Sequence, residues 1–427
     1  MKTDLRKATG FFLTCFLIFC TAQYASCGKS GGETPAPTPP PEPGNGTKNY
    51  YISSSMGSDS NDGLSEKSPW RSLKKINSGQ YNPGDSILLR SGDIWSEAVT
   101  FTSKFRGSET DPIVISSYGT GNRPKITHPA KDIRVLMLIN NADCLTVSNL
   151  DFGPFYQYGL RFDITDGKEH GHITVENVHV HDMKLAGIFF KAQDTPGYRN
   201  VAVRRCTGNN VEMMLAVGGC KEVHISDCEA TECLYGGFSI MSVEGGEMSG
   251  CKVFRNGTGD YPNGACGIYL GSTKDFTVRN CEVAFQKRYG TNPDAEALDF
   301  ECNNVNVTVA DCYFHDNDGC AIMFYDNRRG LVNKACVVEN CRFENNGRNW
   351  HDPRGFEIHF TKINNNNDGI IRNNTFSLRP DLGFLTTVDP SVTVTGNKTA
   401  DGEPLSIAPP LDGQPKLLNG GFEAPAV

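Results

Sequence analysis

The sequence predicts an all-β protein built as a parallel solenoid, in which short strands stack coil upon coil. The first observation is a six-residue pattern, typified by Val278-Arg-Asn-Cys-Glu-Val283, that recurs ten times between residues 147 and 397 at spacings of 22 to 33 residues. The second is a companion pattern of alternating apolar residues, such as Gly267-Ile-Tyr-Leu270, that follows most copies. Because no amphipathic helical pattern separates the copies, each repeat is predicted to contain several strands and no helix.

The recurrent pattern predicts a strand, a bend and a second strand. Apolar residues occupy its first, fourth and sixth places, so the two-residue alternation of a strand is broken once, at the third place. That place is usually Asn, Asp or Gly, which tolerate left-handed backbone geometry. In the companion pattern the alternation is unbroken, which is typical of a strand with one buried face. Leucine-rich repeats have a similar period, but their dense leucines and their helix are missing here.

Residues 1–27 are predicted to form a secretory signal. A basic start is followed by an apolar run from Phe11 to Cys20 that is too short to span a membrane, and then by small residues. Cys27, after Ala-Ser, resembles the lipid-modified cysteine of bacterial lipoproteins, although Tyr24 stands where that motif prefers Leu. Lipidation at Cys27 places the protein on the bacterial outer membrane or cell surface. Ordinary cleavage leaves it periplasmic or secreted.

The remaining chain divides into a tether, a body and a tail. Residues 28–48 are rich in Gly, Ser, Thr and Pro and are predicted to form a semi-rigid tether. The solenoid body is assigned to residues 49–400, and Ser68-Pro-Trp-Arg-Ser-Leu-Lys-Lys-Ile76 is predicted to be a capped helix that covers its N-terminal end. Residues 401–427 are a proline-rich tail that either packs on the C-terminal end of the solenoid or begins a further module.

The opening of the body carries a family resemblance. Tyr51-Ile-Ser is followed by Gly57-Ser-Asp-Ser-Asn-Asp-Gly63 and Pro83-Gly-Asp-Ser-Ile-Leu-Leu-Arg90. With the repeats, these segments resemble secreted right-handed parallel β-helix proteins of the pectate-lyase-like superfold over residues 49–400. The resemblance implies a right-handed parallel β-helix and an activity on polysaccharides, as a hydrolase, a lyase or an epimerase. It is specific for the fold and weak for the reaction, because this superfold hosts several chemistries.

Composition agrees with one elongated, β-rich body that we expect to be a monomer. The net charge of −8 gives no general attraction to nucleic acid or to anionic membranes. The acidic turn at Asp59, Asn61 and Asp62 can accept calcium, but a plain Asx-rich turn is favoured, so no cofactor is assigned. No Cys or Cys/His spacing indicates zinc. Six cysteines take the fourth, inward place of successive patterns and are predicted to be buried free thiols rather than disulfides: Cys206, Cys228, Cys251, Cys281, Cys312 and Cys341.

The candidate active site follows from the outward faces of the companion strands. If Leu298 and Phe300 point inward, Asp299 and Glu301 point outward. Aligning the copies predicts two outward rows, one containing Tyr269, Asp299, Met323 and Glu357, and the other containing Lys191, Glu301, Tyr325 and His359.

Spacing suggests what these carboxylates do. Asp299 and Glu301 are ~6.6–7 Å apart along a strand, and Asp299 and Glu357 are ~9–10 Å apart across two coils. Inverting glycosidases hold their carboxyl groups ~6.5–9.5 Å apart and retaining enzymes ~5–5.5 Å apart, so inversion is favoured. Asp299 or Glu301 is assigned as the general acid and Glu357 as the base, with His359 and Tyr325 holding substrate or tuning the acid.

Neighbouring residues are assigned to substrate binding. Tyr269 belongs to a surface on which sugar rings can stack, Trp350 can close over a sugar, and Arg354 can meet an acidic group on it. Solvated loop charge explains the arginine equally well.

Two alternatives stay open. A polysaccharide lyase uses Lys191, His359 or Tyr325 as base and an arginine or calcium as neutraliser, although Lys191 lies ~19 Å from Glu301. A surface glycan-binding protein needs only the aromatic surface. His179 lies in a copy of the recurrent pattern and His181 just after it, and both are assigned as turn residues rather than metal ligands.

Overall fold

The computed structural model describes residues 48–101, 105–191, 197–325, 331–348, 356–361, 367–379, 383–386, 388, 390–411 and 414–418. All of them belong to the compact unit Pro43–Val427. The predicted signal and all but the last residue of the tether lie outside this part of the chain, as do Trp350 and Arg354. After residue 405 only the backbone is described.

Three sheets run the length of the solenoid, and each coil passes from the first sheet to the third, then to the second, and back to the first. In the described part of the chain the first sheet has 13 strands: β1 (Asn49–Ile52), β2 (Ser86–Arg90), β5 (Ile113–Tyr118), β8 (Leu145–Ser148), β11 (His170–Glu176), β14 (Tyr198–Arg204), β17 (Lys221–Ser226), β20 (Glu244–Ser249), β23 (Lys274–Arg279), β26 (Val305–Ala310), β29 (Cys336–Glu339), β32 (Gly369–Arg372) and β35 (Val392–Thr395).

The second sheet carries the companion pattern. Its 11 strands among the described residues are β4 (Val99–Phe101), β7 (Val135–Asn140), β10 (Tyr158–Asp163), β13 (Ile188–Lys191), β16 (Met213–Gly218), β19 (Gly236–Met241), β22 (Ile268–Gly271), β25 (Leu298–Cys302), β28 (Ile322–Phe324), β31 (Phe356–Phe360) and β34 (Gly383–Leu385).

The third sheet has 14 strands in the same part of the chain: β3 (Ile94–Ser96), β6 (Lys125–Thr127), β9 (Asp151–Phe152), β12 (His179–His181), β15 (Thr207–Asn209), β18 (Glu229–Thr231), β21 (Lys252–Phe254), β24 (Glu282–Ala284), β27 (Tyr313–His315), β30 (Arg342–Glu344), β33 (Thr375–Ser377), β36 (Asn397–Thr399), β37 (Pro404–Leu411) and β38 (Gln414–Leu418). Strand pairs are parallel throughout the three sheets, except that β37 runs antiparallel to β36 and β38 antiparallel to β37. The first part of the tail therefore joins the C-terminal end of the third sheet.

The bend predicted in the recurrent pattern is present in every copy. The third residue of each copy has a positive φ of 50° to 66°, and it joins a strand of the first sheet to a strand of the third. The ten residues are Asn149, Asn177, Arg205, Asp227, Gly250, Asn280, Asp311, Asn340, Asn373 and Gly396. The left-handed geometry inferred from the Asn, Asp and Gly preference is confirmed, and it turns the chain without ending the solenoid.

The interior is filled by ladders of like residues. The six inward cysteines are free and at most 2 % exposed, and each thiol donates a hydrogen bond of 3.2 to 3.4 Å to the carbonyl two residues earlier. Phenylalanines stack at the strand spacing, as for Phe300 and Phe324, whose ring centroids lie 4.5 Å apart. The predicted ladder of buried thiols is confirmed.

The N-terminal end differs from the expectation in its helix. A 3-10 helix spans Leu73–Ser78, later and shorter than predicted, and the Ser72 side chain makes no capping hydrogen bond. Leu73 and Ile76 are fully buried. Its role as a cap stays a prediction.

The acidic turn nearby is tied to the segment that precedes the helix. Asp59 accepts hydrogen bonds from the backbone N–H groups of Arg71 and Ser72, which fits an Asx-rich turn. Among the described residues, no helix is long and apolar enough to cross a membrane.

Candidate active site

An outward-facing row on the second sheet forms the centre of the candidate site. Leu298 and Phe300 are fully buried, as predicted, and Asp299 lies between them with its side chain on the outer face. Tyr269, Asp299, Met323 and His359 are paired in register on consecutive strands β22, β25, β28 and β31. The prediction that Asp299 follows Tyr269 and precedes Met323 is confirmed.

Glu357 does not belong to this row, so its predicted place is wrong. Ile358 pairs with Ile322, which places His359 rather than Glu357 beside Met323. Glu357 is fully buried at the corner of its coil, where the Asn346 amide donates a hydrogen bond of 2.6 Å to its Oε2. The Asn346 amide also donates to the Phe314 carbonyl. Burial raises the pKa of Glu357 to about 7.

The buried corner occupied by Glu357 ends a ladder of amide side chains. In successive coils the backbone N–H of one member donates to the side-chain oxygen of the next, from Asn256 to Gln286, then to Asn317 and then to Asn346. The backbone N–H of Asn346 points in the same way to Glu357 Oε1, at 3.4 Å. A carboxylate oxygen of Glu357 therefore accepts the backbone hydrogen bond that a side-chain amide oxygen of Asn or Gln accepts in the earlier coils.

The second predicted row is also broken, because β25 contains a bulge. Gly271 pairs with Cys302 rather than with Glu301, and the register shifts between Leu270 and Gly271. Glu301 nevertheless stays close, since its Cβ lies 3.4 Å from the position a Cβ on Gly271 would take. Tyr325 follows the end of β28 and donates its backbone N–H to the Phe300 carbonyl, with 38 % of its surface exposed.

Lys191 lies elsewhere on the same sheet. It pairs in register with Asp163 on β10, four coils before Glu301. The structure therefore does not bring Lys191 to Asp299 and Glu301, whereas Tyr269 and His359 share the Asp299 row.

Asp294 and Glu296, to which the sequence assigned no role, form an acidic cluster with Asp299 and Glu301. The pKa of Asp299 is raised well above its usual range by burial first, and then by the charges of Glu301, Glu296 and Asp294. Burial and the charge of Asp294 raise the pKa of Glu301 to about 7. The feature of the sequence that could have indicated this cluster is the presence of four acidic residues within the eight positions 294–301.

The segment that carries the acidic cluster has an unusual backbone. Ala295 has φ of 89°, outside the range comfortable for a residue with a side chain, and its N–H donates to the Ala265 carbonyl at 2.9 Å. Gly264 makes room for the Asp294 carboxylate, because a Cβ at Gly264 would lie 1.8 Å from Asp294 Oδ2. The Asn292 side chain accepts the backbone N–H groups of both Ala265 and Asp294. Strained backbone of this kind concentrates at functional sites.

The Asp299 side chain is less exposed to solvent than the sequence predicted. Its exposed fraction is 3 %, and Oδ1 has no hydrogen-bond partner among the described residues. Neither Asp299 nor Glu301 forms an ion pair with a residue in the described part of the chain. A carboxyl group in these surroundings favours its protonated form, because a charge there has little water and, among the described residues, no ion-pair partner to stabilise it.

Tyr269 is buried in an aromatic cluster rather than displayed on an open surface. Its ring stacks on that of Tyr235 with centroids 5.1 Å apart, and its exposed fraction is 7 %. Tyr261 packs edge-on against Tyr235 and donates to Glu212 Oε1 at 3.4 Å. Further along the same row, Ala216 pairs in register with Phe189, and Met214 is fully buried in the interior. The expected open stacking surface at Tyr269 is therefore wrong.

Comparison with known proteins settles the family. The family described as right handed beta helix region matches residues 164–329 and 297–408 of the chain. The chain belongs to the right-handed β-helix family. The handedness and fold implied by the resemblance of its opening segments are confirmed.

Within this family, sequence and structure comparisons give particular relatives. Over 107 residues the chain is 37 % identical to a lacto-N-biosidase of Bifidobacterium longum, a match that covers 25 % of this chain and 6 % of that relative. The chain thus spans a small part of the curated relative's length.

Two crystal structures share the fold of this β-helix. A GH136 lacto-N-biosidase from Eubacterium ramulus has a TM-score of 0.64 at 19 % identity, with 82 % of this chain and 68 % of that chain covered. An alginate lyase from Paenibacillus sp. has a TM-score of 0.51 at 13 % identity, with 75 % and 96 % covered. At these identities the likeness concerns the fold.

Proposed function

We propose that this protein is a glycoside hydrolase that acts on an oligosaccharide or polysaccharide. The observation that carries the proposal is the acidic cluster, in which burial and mutual repulsion raise the pKa values of Asp299 and Glu301. Such crowding destabilises a fold, whereas acid-catalysed glycoside hydrolysis needs a carboxyl group that stays protonated near neutral pH. The partial identity to a lacto-N-biosidase supports the same class of reaction.

Asp299 is the general acid in this proposal. Burial and the charges of Glu301, Glu296 and Asp294 raise its pKa well above the usual range, and its Oδ1 makes no hydrogen bond to a described residue, so the carboxyl proton is available to a ligand on the outer face. Asp299 donates this proton to the glycosidic oxygen as the bond from that oxygen to the anomeric carbon breaks. The leaving sugar departs as an alcohol.

Glu301 is the base, in place of Glu357. Backbone positions two apart on an unbroken strand are ~6.6–7 Å apart, and side chains that start from about this spacing can hold their carboxyl groups far enough apart for the water of an inverting enzyme. Glu301 takes a proton from that water as the water oxygen bonds to the anomeric carbon from the face opposite the leaving group. Burial and the negative charge of Asp294 keep the proton affinity of Glu301 high enough for this step, because both raise the pKa of Glu301.

Substrate contacts are assigned to the residues around the cluster. His359 lies two coils from Asp299 in the same row, and Tyr325 follows the next strand; both are proposed to hold sugar hydroxyls. Trp350 and Arg354 keep their proposed roles in substrate binding. The proposals of an extracytoplasmic location, an optional lipid at Cys27 and a monomeric state also stand.

A screen of host, plant and algal glycans with mass analysis of the products tests the reaction class. Hydrolysis adds one water per bond cleaved and gives products without ultraviolet-absorbing unsaturation. An increase in absorbance from an unsaturated uronic acid, with no added water, would overturn the hydrolase proposal in favour of a lyase. Glycan binding without turnover on every bound substrate would favour the non-catalytic alternative.

A further inference from the structure

Two histidines and an aspartate meet on the outer face of the third sheet, away from the acidic cluster. Asp151 on β9 pairs in register with His179 on β12, and His181 lies two positions further along β12 on the same face. One ligand atom from each of the three residues lies within 4.8 Å of the others. His181 Nε2 and Asp151 Oδ1 are 3.2 Å apart. These histidines are strand residues, so their assignment to a turn is corrected.

The other ring nitrogen of each histidine already has a partner. His179 Nδ1 lies 2.8 Å from the Thr207 hydroxyl, and His181 Nδ1 lies 2.7 Å from Asp182 Oδ2. The Asn210 amide donates to the same Asp182 carboxylate and fixes it. Metal-binding histidines typically donate the distant N–H to a carboxylate or another acceptor, which orients the ring and leaves Nε2 for the ion.

We propose that Asp151, His179 and His181 bind a divalent transition-metal ion of the zinc class. Ligand bonds of ~2.0–2.2 Å at tetrahedral angles place neighbouring ligand atoms roughly 3.3 Å apart, close to the observed separation of His181 and Asp151. Two imidazoles and one carboxylate suit zinc and its neighbours rather than calcium or magnesium. Three protein ligands leave a fourth position open to water or to a ligand.

The surroundings allow an ion to enter and to stay. The side chains of His181 and Asp151 are 14 % and 17 % exposed, which is enough for access and too little for free rotation. Gly153 lies beside the His181 ring, where a Cβ would be 3.2 Å from Cδ2. Lys125 approaches Asp151 Oδ2 at 3.7 Å, so the carboxylate binds the ion through Oδ1 alone.

A second place on the same sheet has this arrangement with glutamate in place of the aspartate and tyrosine in place of one histidine, and it serves as an internal control. Glu282 pairs in register with Tyr313, and His315 Nδ1 lies 2.9 Å from Asp316 Oδ2 while its Nε2 lies 3.2 Å from Glu282 Oε1. Tyr313 stands where His179 stands in the other set, and its hydroxyl donates to Glu344. With one imidazole instead of two, this set is expected to bind zinc far more weakly.

Equilibrium dialysis of the chelator-treated protein against zinc chloride, with metal analysis, tests the site. The protein is prepared without a polyhistidine tag, and folding of each variant is checked by circular dichroism. We expect saturable binding of about one zinc ion per chain and a rise in Tm with zinc concentration. Asp151→Asn, His179→Gln and His181→Gln should each weaken binding by at least about 100-fold, the upper end of what loss of a supporting residue alone costs. The matched variant His315→Gln should bind zinc as the unchanged protein does.

Cobalt provides a readout that does not depend on the variants. Co²⁺ bound by two imidazoles and a carboxylate in a four-coordinate site should give visible absorption bands that zinc removes by competition. The proposal is overturned if the unchanged protein shows no saturable zinc binding. It is equally overturned if all three ligand variants bind zinc as tightly as His315→Gln does.

Discussion

Asp299 and His359 lie in one outward row of the second sheet, two coils apart, with Met323 paired between them. Two strand spacings separate them by roughly 9.6 Å. This distance is too long for direct proton transfer but suits two groups that contact one bound sugar. An imidazole therefore occupies the place where the sequence predicted a second carboxylate. The proposed catalytic pair is instead Asp299 and Glu301, which lie on one strand.

Replacement of Asp299, the proposed acid, should strongly reduce turnover without harming the fold. Asp299→Asn keeps the size of the side chain but removes the proton donor, so kcat should fall by about 10²–10⁴-fold with little change in KM. Because burial disfavours the charged carboxylate, thermal stability near pH 7 should stay the same or rise. Steady-state kinetics and a thermal melt measure both.

Asp275→Asn is the matched control for the Asp299 variant. Asp275 lies on the first sheet at a left-handed backbone position that Asn tolerates, and its carboxylate accepts a hydrogen bond from Asn306. Its substitution should leave kcat unchanged. Equal activity of Asp299→Asn and Asp275→Asn would rule out Asp299 as the acid.

Glu357 should prove to be structural. Glu357→Gln retains an oxygen that accepts the Asn346 hydrogen bonds and continues the amide ladder, so activity and stability should both be kept. Glu357→Ala leaves the buried Asn346 amide without this acceptor and should lower the free energy of unfolding by about 1–3 kcal/mol, or more because a cavity also forms. Denaturant unfolding and kinetics on both variants make the comparison. A Glu357→Gln protein that folds normally but has lost turnover would restore Glu357 as the base.

The sequence predicted the fold and the face of Asp299 but misplaced Glu357, for one physical reason. Strand side chains alternate with a period of two, so a slip of one residue moves every apolar side chain to solvent and is visible in the sequence, whereas a slip of two is not. Phe356, Ile358 and Phe360 alternate in either alignment.

Other features of the site depend on contacts between coils. The bulge at Glu301 leaves no mark in the alternation of β25, since it shows only in the pairing, where Leu270 lies opposite Phe300 and Gly271 lies opposite Cys302. The burial of Asp299 and Tyr269 is decided by side chains of adjacent coils. By contrast, the bends were predictable, because a residue at positive φ must be of a type that tolerates it.

The bends supply a test of the coil geometry that is independent of function. Asn280 is exposed and has φ of 52°, so its identity matters mainly through the backbone. Asn280→Val places a β-branched residue in left-handed geometry and should cost about 1–3 kcal/mol of stability. Asn280→Gly, the matched control, should change stability by a small fraction of that. Urea unfolding of both variants checks the difference, and equal stability of the two would contradict the requirement for left-handed geometry at the bend.

The raised pKa of Glu301 predicts how stability depends on pH. The folded protein holds the Glu301 proton up to pH about 7, whereas the unfolded chain releases it near the ordinary value of 4.5. Between these two values the folded state binds more protons, so this group makes stability fall as pH rises from about 4.5 to about 7 and adds no further change above that. Glu301→Gln removes the titration, and the stability of the variant relative to the unchanged protein should rise across this window. Denaturant unfolding at pH 4.5, 5.5, 6.5 and 7.5 measures the difference.

The activity profile of the unchanged protein should show the other consequence of the same pKa. If Glu301 is the base, kcat should rise as its carboxyl group loses a proton near pH 7 and should fall at higher pH as Asp299 loses its own. The two groups titrate as a pair, so the limbs of the curve report the pair rather than either residue alone. Replacing Asp294 tests whether its charge controls the pKa of Glu301. Asp294→Asn removes a negative charge beside Glu301 and should shift the acidic limb to lower pH. An acidic limb that keeps its position in Asp294→Asn would show that the charge of Asp294 does not control the base.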